Sequence, residues 1–398
     1  MSERVTFSVS HFPFDDSASE STRQIYDAKR FSFHDQASIT GRQLRQRDLI
    51  CHNMECMHAM PVQARTAVLT NYLDVARHLR LNANVLLAEV GLSPSMLADQ
   101  SQRIPATTGI ILLEKSALLS GCDTFGLRMA ELRQLADFGE VSLLLSHQNN
   151  LRDALKVIVH YRQLINDSLA IFVEESGKTV IIREELVTDM GTNNRQSIEL
   201  LIAVMHRFCA ALLGAHWNPI NVCFTHDAPA DLSVHRRIFG CKVDFGCEFN
   251  GIVCPASNLD AANPLANEAM ARHAQRYLDS LLREYGNSVA FDVRKSIYLL
   301  LPMGRATIAQ IAQSLGMNVR TLQRRLGEEG ASFSELISCV RRDLVVRYLE
   351  NPAYSLGRIA DMLGYSMPNS FTRWFVSQFN MPPATWRSEH RIGMRKDS

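Results

Sequence analysis

The side chains with the clearest chemical potential are three polar residues in a helical segment near the C-terminus. Arg320, Gln323 and Arg324 are three and four positions apart, so a helix presents them on one side. Arginine can donate two hydrogen bonds to guanine, and glutamine can pair in a similar way with adenine. This pattern predicts a helix whose outward face reads bases in a DNA groove.

The residues around this face predict a helix-turn-helix unit over about 308–326. Ile311 and Leu315 recur at helical spacing and indicate the buried face of a first helix. Gly316 suits the left-handed residue that ends a helix, and Asn318 suits the N-cap of the next one. A second helix placed in this way can enter the major groove of DNA.

The same pattern occurs a second time downstream, which makes chance a poor explanation for the first. The segment IADMLG at 359–364 copies IAQSLG at 311–316, a shift of 48 positions (359 − 311), and one extra residue follows in the copy. Internal repetition of this kind indicates two similar structural units, the second over about 356–379. Its predicted base-contacting positions are Asn369, Ser370 and Arg373.

Other residues of the two units fit supporting roles. Arg325, Arg341 and Thr372 suit contacts to the DNA backbone, which fix register without reading sequence. For Arg341 an internal ion pair is an equal alternative. The apolar side chains at inward positions are assigned to the core: Leu322, Leu326, Phe371, Trp374 and Phe375.

Composition and charge support this division. At 398 residues the chain is long enough for two or three domains of roughly 150 residues each. Its net charge is only +1, but residues 302–398 hold 13 Lys/Arg and 8 Asp/Glu, so they carry +5 and the remainder carries −4 (1 − 5). The end with the repeated motif is therefore the basic end, as a phosphate-facing surface requires.

The N-terminal segment predicts neither export nor a metal site. Residues 1–62 are polar, lack a signal peptide and are interpreted as a flexible leader. Cys51, His52, Cys56 and His58 crowd together there, but their spacing fits no standard zinc site, so we expect no metal and no cofactor. No apolar run approaches the roughly 20 residues that span a bilayer, so we expect a cytoplasmic protein with reduced cysteines and no membrane partner.

The middle of the chain predicts an α+β domain over residues 63–260, with helices first and strands later. One helix is expected across 70–92, a β-hairpin around Gly177, and a long apolar helix at 198–213 in which His206 is interpreted as a core residue. A helical connector is expected at 261–287.

The C-terminal hundred residues resemble the DNA-binding domain of AraC/XylS-family bacterial transcription regulators. The bridge GASFSELISCVRRDLVVRYLE places Phe333 and Arg341 where the family has them. Gly364-Tyr365 and the ending FNMPPATWR also fit, although the family often has glycine before the last proline, where this chain has Met381-Pro382. A weaker likeness, carried by DTFGLR at 123–128, LRDAL at 151–155 and VDF at 243–245, links residues 63–260 to the α+β effector domain of one subgroup, not to a cupin barrel.

This resemblance implies a multidomain protein. It implies an α+β N-terminal effector and dimerisation domain, and an all-α C-terminal domain at 288–398 with two helix-turn-helix units joined by a central helix. The implied partners are double-stranded promoter DNA, a small-molecule effector bound at residues that the sequence does not reveal, a second copy in a homodimer, and RNA polymerase.

The implied function is sequence-specific transcriptional regulation, and we expect an activator controlled by its effector. One alternative is an effector-independent repressor, and another, of a different class, is an enzyme fused to a DNA-binding domain. The sequence offers no nucleotide-binding glycine loop, no paired metal motif and no nucleophile elbow, so we expect no enzymatic activity.

Overall fold

The structure is a computed structural model that describes residues 62–188, 194–284 and 288–394. Apart from Val62, the predicted leader with its cysteines and histidines lies outside these residues. The predicted fold class is confirmed: an α+β domain precedes an all-α domain, and each has its own hydrophobic core.

The first part of the chain is mainly helical and surrounds a small antiparallel sheet of two strands, β1 (Gln63–Arg65) and β2 (Arg103–Pro105). Short 3-10 turns occur at Thr66–Leu69 and Leu135–Phe138. The helices, in chain order, are α1 (Tyr72–His78), α2 (Ala83–Glu89), α3 (Pro94–Ala98), α4 (Ala106–Ser120), α5 (Phe125–Glu131), α6 (Val141–Ser146) and α7 (Leu151–Ile165).

The single helix predicted across 70–92 is wrong, because α1 and α2 are separate. Arg80 between them has φ +58°, in the left-handed region that a helix cannot accommodate. The side chain of Asn82 then accepts a hydrogen bond from the amide of Val85 and begins α2 afresh. Periodic apolar residues continue through the break, which is why the sequence pattern conceals it.

The second part of this domain is built on a five-stranded sheet. Its strands are β3 (Leu169–Ser176), β4 (Thr179–Leu186), β5 (Asn221–Cys223), β6 (Lys242–Asp244) and β7 (Gly251–Pro255), with spatial order β3-β4-β7-β5-β6. β3 and β4 form the predicted hairpin, in which Gly177 has φ +61° at the turn. The helices of this part are α8 (Arg195–Leu213), α9 (Ser233–Phe239), α10 (Ser257–Asp260) and α11 (Glu268–Glu284), with a 3-10 turn at Gly214–His216.

Helix α8 is the central helix of this domain. Within the described ranges it is the one helix long and apolar enough to cross a membrane, but most of it is buried inside the protein. Its His206 is buried against the edges of Trp217 and Phe239, and burial lowers the pKa of His206 to about 4. The prediction of a core histidine is confirmed.

Helix α11 falls in the segment predicted as a connector, and it packs on the α+β domain. Ala274 and Leu278 are buried in the first core. The hydroxyl of Tyr161 on α7 donates to a carboxylate oxygen of Asp279 at 2.5 Å. The helix therefore adds to that core on one face.

The C-terminal domain consists of helices around a second core. These are α12 (Val289–Leu300), α13 (Ile308–Ser314), α14 (Val319–Glu328), α15 (Phe333–Glu350), α16 (Leu356–Met362), α17 (Pro368–Phe379) and α18 (Pro383–Met394), with a 3-10 turn at Leu301–Met303. The 18-residue α15 is the longest of them and joins the two predicted units, α13–α14 and α16–α17.

Candidate nucleic-acid interface

The first unit folds as its capping residues dictate. The Thr307 side chain and Gln310 form a reciprocal capping box at the start of α13. Gly316 then adopts φ +66°, and Asn318 accepts a hydrogen bond from the amide of Thr321 at 2.8 Å to begin α14. The turn predicted from Gly316 and Asn318 is confirmed residue by residue.

Helix α14 separates an inward from an outward face. Leu322 and Leu326 are buried in the second core, as predicted. The four polar residues predicted to contact DNA from this unit are exposed: Arg320, Gln323, Arg324 and Arg325. Arg324 forms an ion pair with Glu328 one turn along the same helix. An exposed pair of this kind contributes little free energy, so it can be exchanged for a base or phosphate contact.

The second unit reaches the same arrangement through a turn that is one residue longer. Gly364 takes the left-handed conformation at φ +73°, and α17 begins at Pro368, a residue favoured in the first helical turn. Asn369, Thr372 and Arg373 are exposed, and Ser370 is half-buried. The outward positions inferred from the repeat thus lie on the solvent-facing side of α17.

The inward side of α17 is aromatic. Phe371 and Phe375 are buried, as predicted. Trp374 is half-buried, with its ring 5.7 Å from that of Tyr365 and 6.4 Å from that of Phe371 between centroids. Trp374 therefore covers the edge of the core that α16 and α17 share.

Arg341 on the central helix α15 makes internal contacts. Its Nε–H donates to the carbonyl of Leu363 at 2.9 Å, and its guanidinium lies 4.4 Å from the ring centroid of Tyr365. These contacts fix the end of α16, and with it the turn at Gly364, to α15. The internal partners are a carbonyl and an aromatic ring rather than the carboxylate of an ion pair. Contact of Arg341 with phosphate stays a prediction.

Two sequence families account for both domains. Residues 81–263 match the arabinose-binding domain of AraC transcription regulators, and residues 311–389 match a helix-turn-helix domain. The chain is a transcriptional regulator of the AraC family. It is similar to the HTH-type transcriptional regulator VirS of Mycobacterium tuberculosis, with 28% identity across 81% of this chain and 96% of VirS.

A second relative of this AraC-family regulator is the ornithine utilization regulator of Pseudomonas aeruginosa. The two are 21% identical across 79% of this chain and 93% of that protein. The two family matches and the named relatives point to a transcriptional regulator and not to an enzyme.

The AraC-family regulator also holds its two domains together through charged side chains that the sequence did not single out. Arg347 on α15 lies 3.4 Å from a carboxylate oxygen of Glu185 on β4 and donates to the hydroxyl of Thr225. The other oxygen of Glu185 accepts from the amide of Asn250 at 2.7 Å. Burial lowers the pKa of Arg347, but Glu185 and two neighbouring tyrosines together outweigh this effect, so the net shift of that pKa is upward.

Two further contacts hold the beginning of the second unit. The hydroxyl of Tyr354 donates to the carbonyl of Cys247 at 2.9 Å, and Arg358 on α16 forms an ion pair with Glu248. The α+β domain thus contacts α15 and α16 through hydrogen bonds and ion pairs. The outward residues of α14 and α17 remain exposed.

Helix α12 is packed between the domains. On one side Arg162 of α7 pairs with Asp292 at 2.5 Å, and the buried Lys295 lies 2.9 Å from the same carboxylate. On the other side Tyr298 donates to Asp343 of α15 at 2.7 Å. Helix α12 therefore contacts both α7 of the α+β domain and α15 of the helix-turn-helix domain.

The α+β domain contains a cavity of about 120 Å³ between α4, α8 and β4. The sequence offered no candidate residues for an effector site. This cavity is much larger than the recess of about 20 Å³ that lies beside Arg347. Its walls are mostly apolar, which is usual for sites that bind small molecules.

Proposed function

We propose that this protein is a cytoplasmic, homodimeric activator that binds promoter DNA, contacts RNA polymerase and responds to a small molecule bound in residues 63–260. The observation that carries the proposal is the position of α15. It joins both helix-turn-helix units, and Arg347 in its last turns is held by Glu185 and Thr225 of the effector domain. A ligand that alters the effector domain can therefore alter how the two units are presented.

Base reading is assigned to the two exposed faces. Arg320, Gln323 and Arg324 read one major-groove segment, and Asn369, Ser370 and Arg373 read the next, about 34 Å or one helical turn away. Arg325, Thr372 and Arg341 hold the DNA backbone. Exposure of the outward side of α14 and α17 supports this assignment.

The proposed domains are a leader at 1–62, an effector and dimerisation domain at 63–260, a connector at 261–287 and a DNA-binding domain at 288–398. A fragment from Ser288 onward should still bind the promoter but lose its response to the effector. Deletion of residues 1–59 should leave the melting temperature and the DNA affinity nearly unchanged.

The first experiment identifies the DNA. Genomic fragments retained by the protein are sequenced, and Kd is measured at one fixed salt concentration for the retained site and for a scrambled duplex of equal length. We expect a preference of about a thousandfold or more, as specific regulators show. Equal Kd values would contradict sequence-specific regulation and favour non-specific packaging of DNA.

The second experiment locates the sensor without knowledge of its ligand. Residues 63–260 are replaced by the corresponding domain of a relative whose inducer is known. Transcription in vitro with RNA polymerase should then rise with that inducer, at promoters of this protein. If the chimera binds DNA normally but its transcription does not change with the inducer, the assignment of the sensor to residues 63–260 is contradicted. A fall in transcription on addition of the inducer would favour a repressor.

A further inference from the structure

The cavity between α4, α8 and β4 has a mostly apolar surface, with polar side chains at some positions of its wall. Its volume of about 120 Å³ is close to the roughly 150 Å³ of an engineered apolar cavity that binds benzene. A ligand that fills it is therefore about the size of one six-membered ring. Its main apolar lining residues are Ala106, Ile110, Leu113, Ile158, Leu200 and Met205.

Among the polar side chains of this wall, Glu184 of β4 lacks a hydrogen-bond partner within the described part of the chain. Its side chain is completely buried, and neither of its carboxyl oxygens has a hydrogen-bond partner among the described residues. Buried polar groups in native proteins are nearly always paired, so an unpaired one in a cavity wall indicates a missing partner. Burial raises the pKa of Glu184 well above its usual value and so favours the protonated carboxyl, which can both donate and accept a hydrogen bond.

The other polar side chains in the wall disfavour a cationic ligand. Arg65 is paired with Glu140 at 3.1 Å, and the terminal nitrogens of Arg133 donate to the carbonyls of Ala67 and Val68 at 2.6 Å each. Burial lowers the pKa of Arg133 to about 10, so this side chain keeps its positive charge at neutral pH. A ligand ammonium would meet two arginines, Asp137 and a Glu184 carboxyl whose protonated form is favoured, so repulsion by the arginines and the loss of hydration disfavour it.

We propose that this cavity is the effector site and that it binds a neutral, ring-sized, largely apolar molecule whose one hydroxyl or carbonyl oxygen hydrogen-bonds to Glu184. This inference rests on the proposed function for the location of the sensor. It adds the chemical class of the ligand and the residue that recognises it. The oxygen satisfies Glu184, and the ring replaces empty space against the apolar wall.

The test uses phenol and toluene, two probes that differ by a hydroxyl in place of a methyl group. Their Kd values are measured by calorimetry for the full-length protein, for Glu184→Leu and for Glu184→Gln. The ratio of the toluene Kd to the phenol Kd cancels the general difference in hydrophobicity. We expect this ratio to fall about fivefold or more in Glu184→Leu, the effect of one net hydrogen bond. The ratio should change less than about twofold in Glu184→Gln, because glutamine keeps a donor and an acceptor.

Charge is tested with benzylamine and benzoate under the same conditions. Both should bind at least about tenfold more weakly than phenol to the unmodified protein, because a charged group loses its hydration in this mostly apolar cavity. An unchanged ratio in Glu184→Leu, or tighter binding of either charged probe, would overturn the proposal. Thermal unfolding without ligand shows whether each variant is folded, and Glu184→Gln retains the size and polarity of the original side chain.

The same samples separate this inference from the proposed function. DNA affinity is measured with and without phenol at saturating concentration. If phenol binds in a way that depends on Glu184 but DNA affinity does not change, the cavity is a ligand site. Its role as the effector site is then contradicted. Loss of the Glu184 dependence would contradict the ligand class, while the domain exchange continues to test the sensor itself.

Discussion

Glu184 and Glu185 are consecutive residues of β4 whose side chains serve different domains. Glu184 lies in the wall of the effector-domain cavity, and Glu185 faces Arg347 on the central helix of the DNA-binding domain. Successive side chains of a strand point to opposite faces, so one peptide unit connects the two environments. A shift of β4 that improves a ligand contact at Glu184 also moves the carboxylate that holds Arg347.

Base reading can be tested with one arginine from each unit. Arg324→Ala and Arg373→Ala should each lose roughly 1–3 kcal/mol of binding free energy at the cognate site and relax the preference at a few base pairs. Binding to a library of single-base variants would place the two losses about one helical turn apart. Arg77→Ala, which removes an exposed arginine of the effector domain, is the matched control. Relaxation at the same base pairs in both variants would contradict two separate reading units.

The contact between the domains can be tested at Arg347. Arg347→Met keeps much of the length of the side chain but removes the ion pair with Glu185 and the hydrogen bond to Thr225. Combined with Glu185→Gln in a double-mutant cycle of chemical denaturation, it should show an interaction free energy of about 1 kcal/mol, because the pair is partly exposed. Arg342→Met on the same helix is the control. Strictly additive effects of the two substitutions would exclude energetic coupling at this contact.

The glycine of the DTFGLR segment is predicted to be required for packing. A Cβ atom on Gly126 would lie 2.0 Å from the backbone oxygen of Gln196 at the start of α8. Gly126→Ala should therefore lower the free energy of unfolding by about 1–3 kcal/mol or more, because α5 and α8 must separate. Gly357→Ala is the matched control. A Cβ atom at that helical position would meet its nearest neighbour at an ordinary 3.9 Å, so the protein should be unaffected or stabilised. Denaturant titration of both variants decides the question, and equal stabilities would refute close packing at Gly126.

Glu184 should make stability depend on pH in a defined direction. The pKa of Glu184 is raised in the folded protein, so the folded state holds a proton that the unfolded chain releases above its ordinary pKa of about 4.3. The contribution of Glu184 to the free energy of unfolding is fully present below that pH. It is lost as pH rises toward the folded-state pKa, by up to about 1.4 kcal/mol per pH unit. Unfolding free energies of the unmodified protein and of Glu184→Gln, measured from about pH 5 to 8, should diverge in favour of the variant. Parallel curves would show that Glu184 does not titrate in this way.

The sequence was most informative where structure is determined locally. Gly316 and Asn318 specify a turn through backbone conformation and capping, so the first unit could be predicted almost residue by residue. The contact between Glu185 and Arg347 could not be predicted, because the two residues are 162 positions apart and belong to no motif. A signal for Glu184 did exist: alternation places it on the same face of β4 as the buried side chains at positions 180 and 182.

The effector domain holds the connecting helix α15 and the start of α16, and it leaves the outward faces of α14 and α17 uncovered. On the proposed function, we therefore expect the effector domain to regulate DNA binding through the offset between the two reading helices rather than by covering them. One base pair inserted between their target segments turns the second by about 35° around the duplex, given roughly 10–10.5 base pairs per turn. Promoters of this protein should then differ in their dependence on the effector according to the helical phase of their half-sites as well as their sequence.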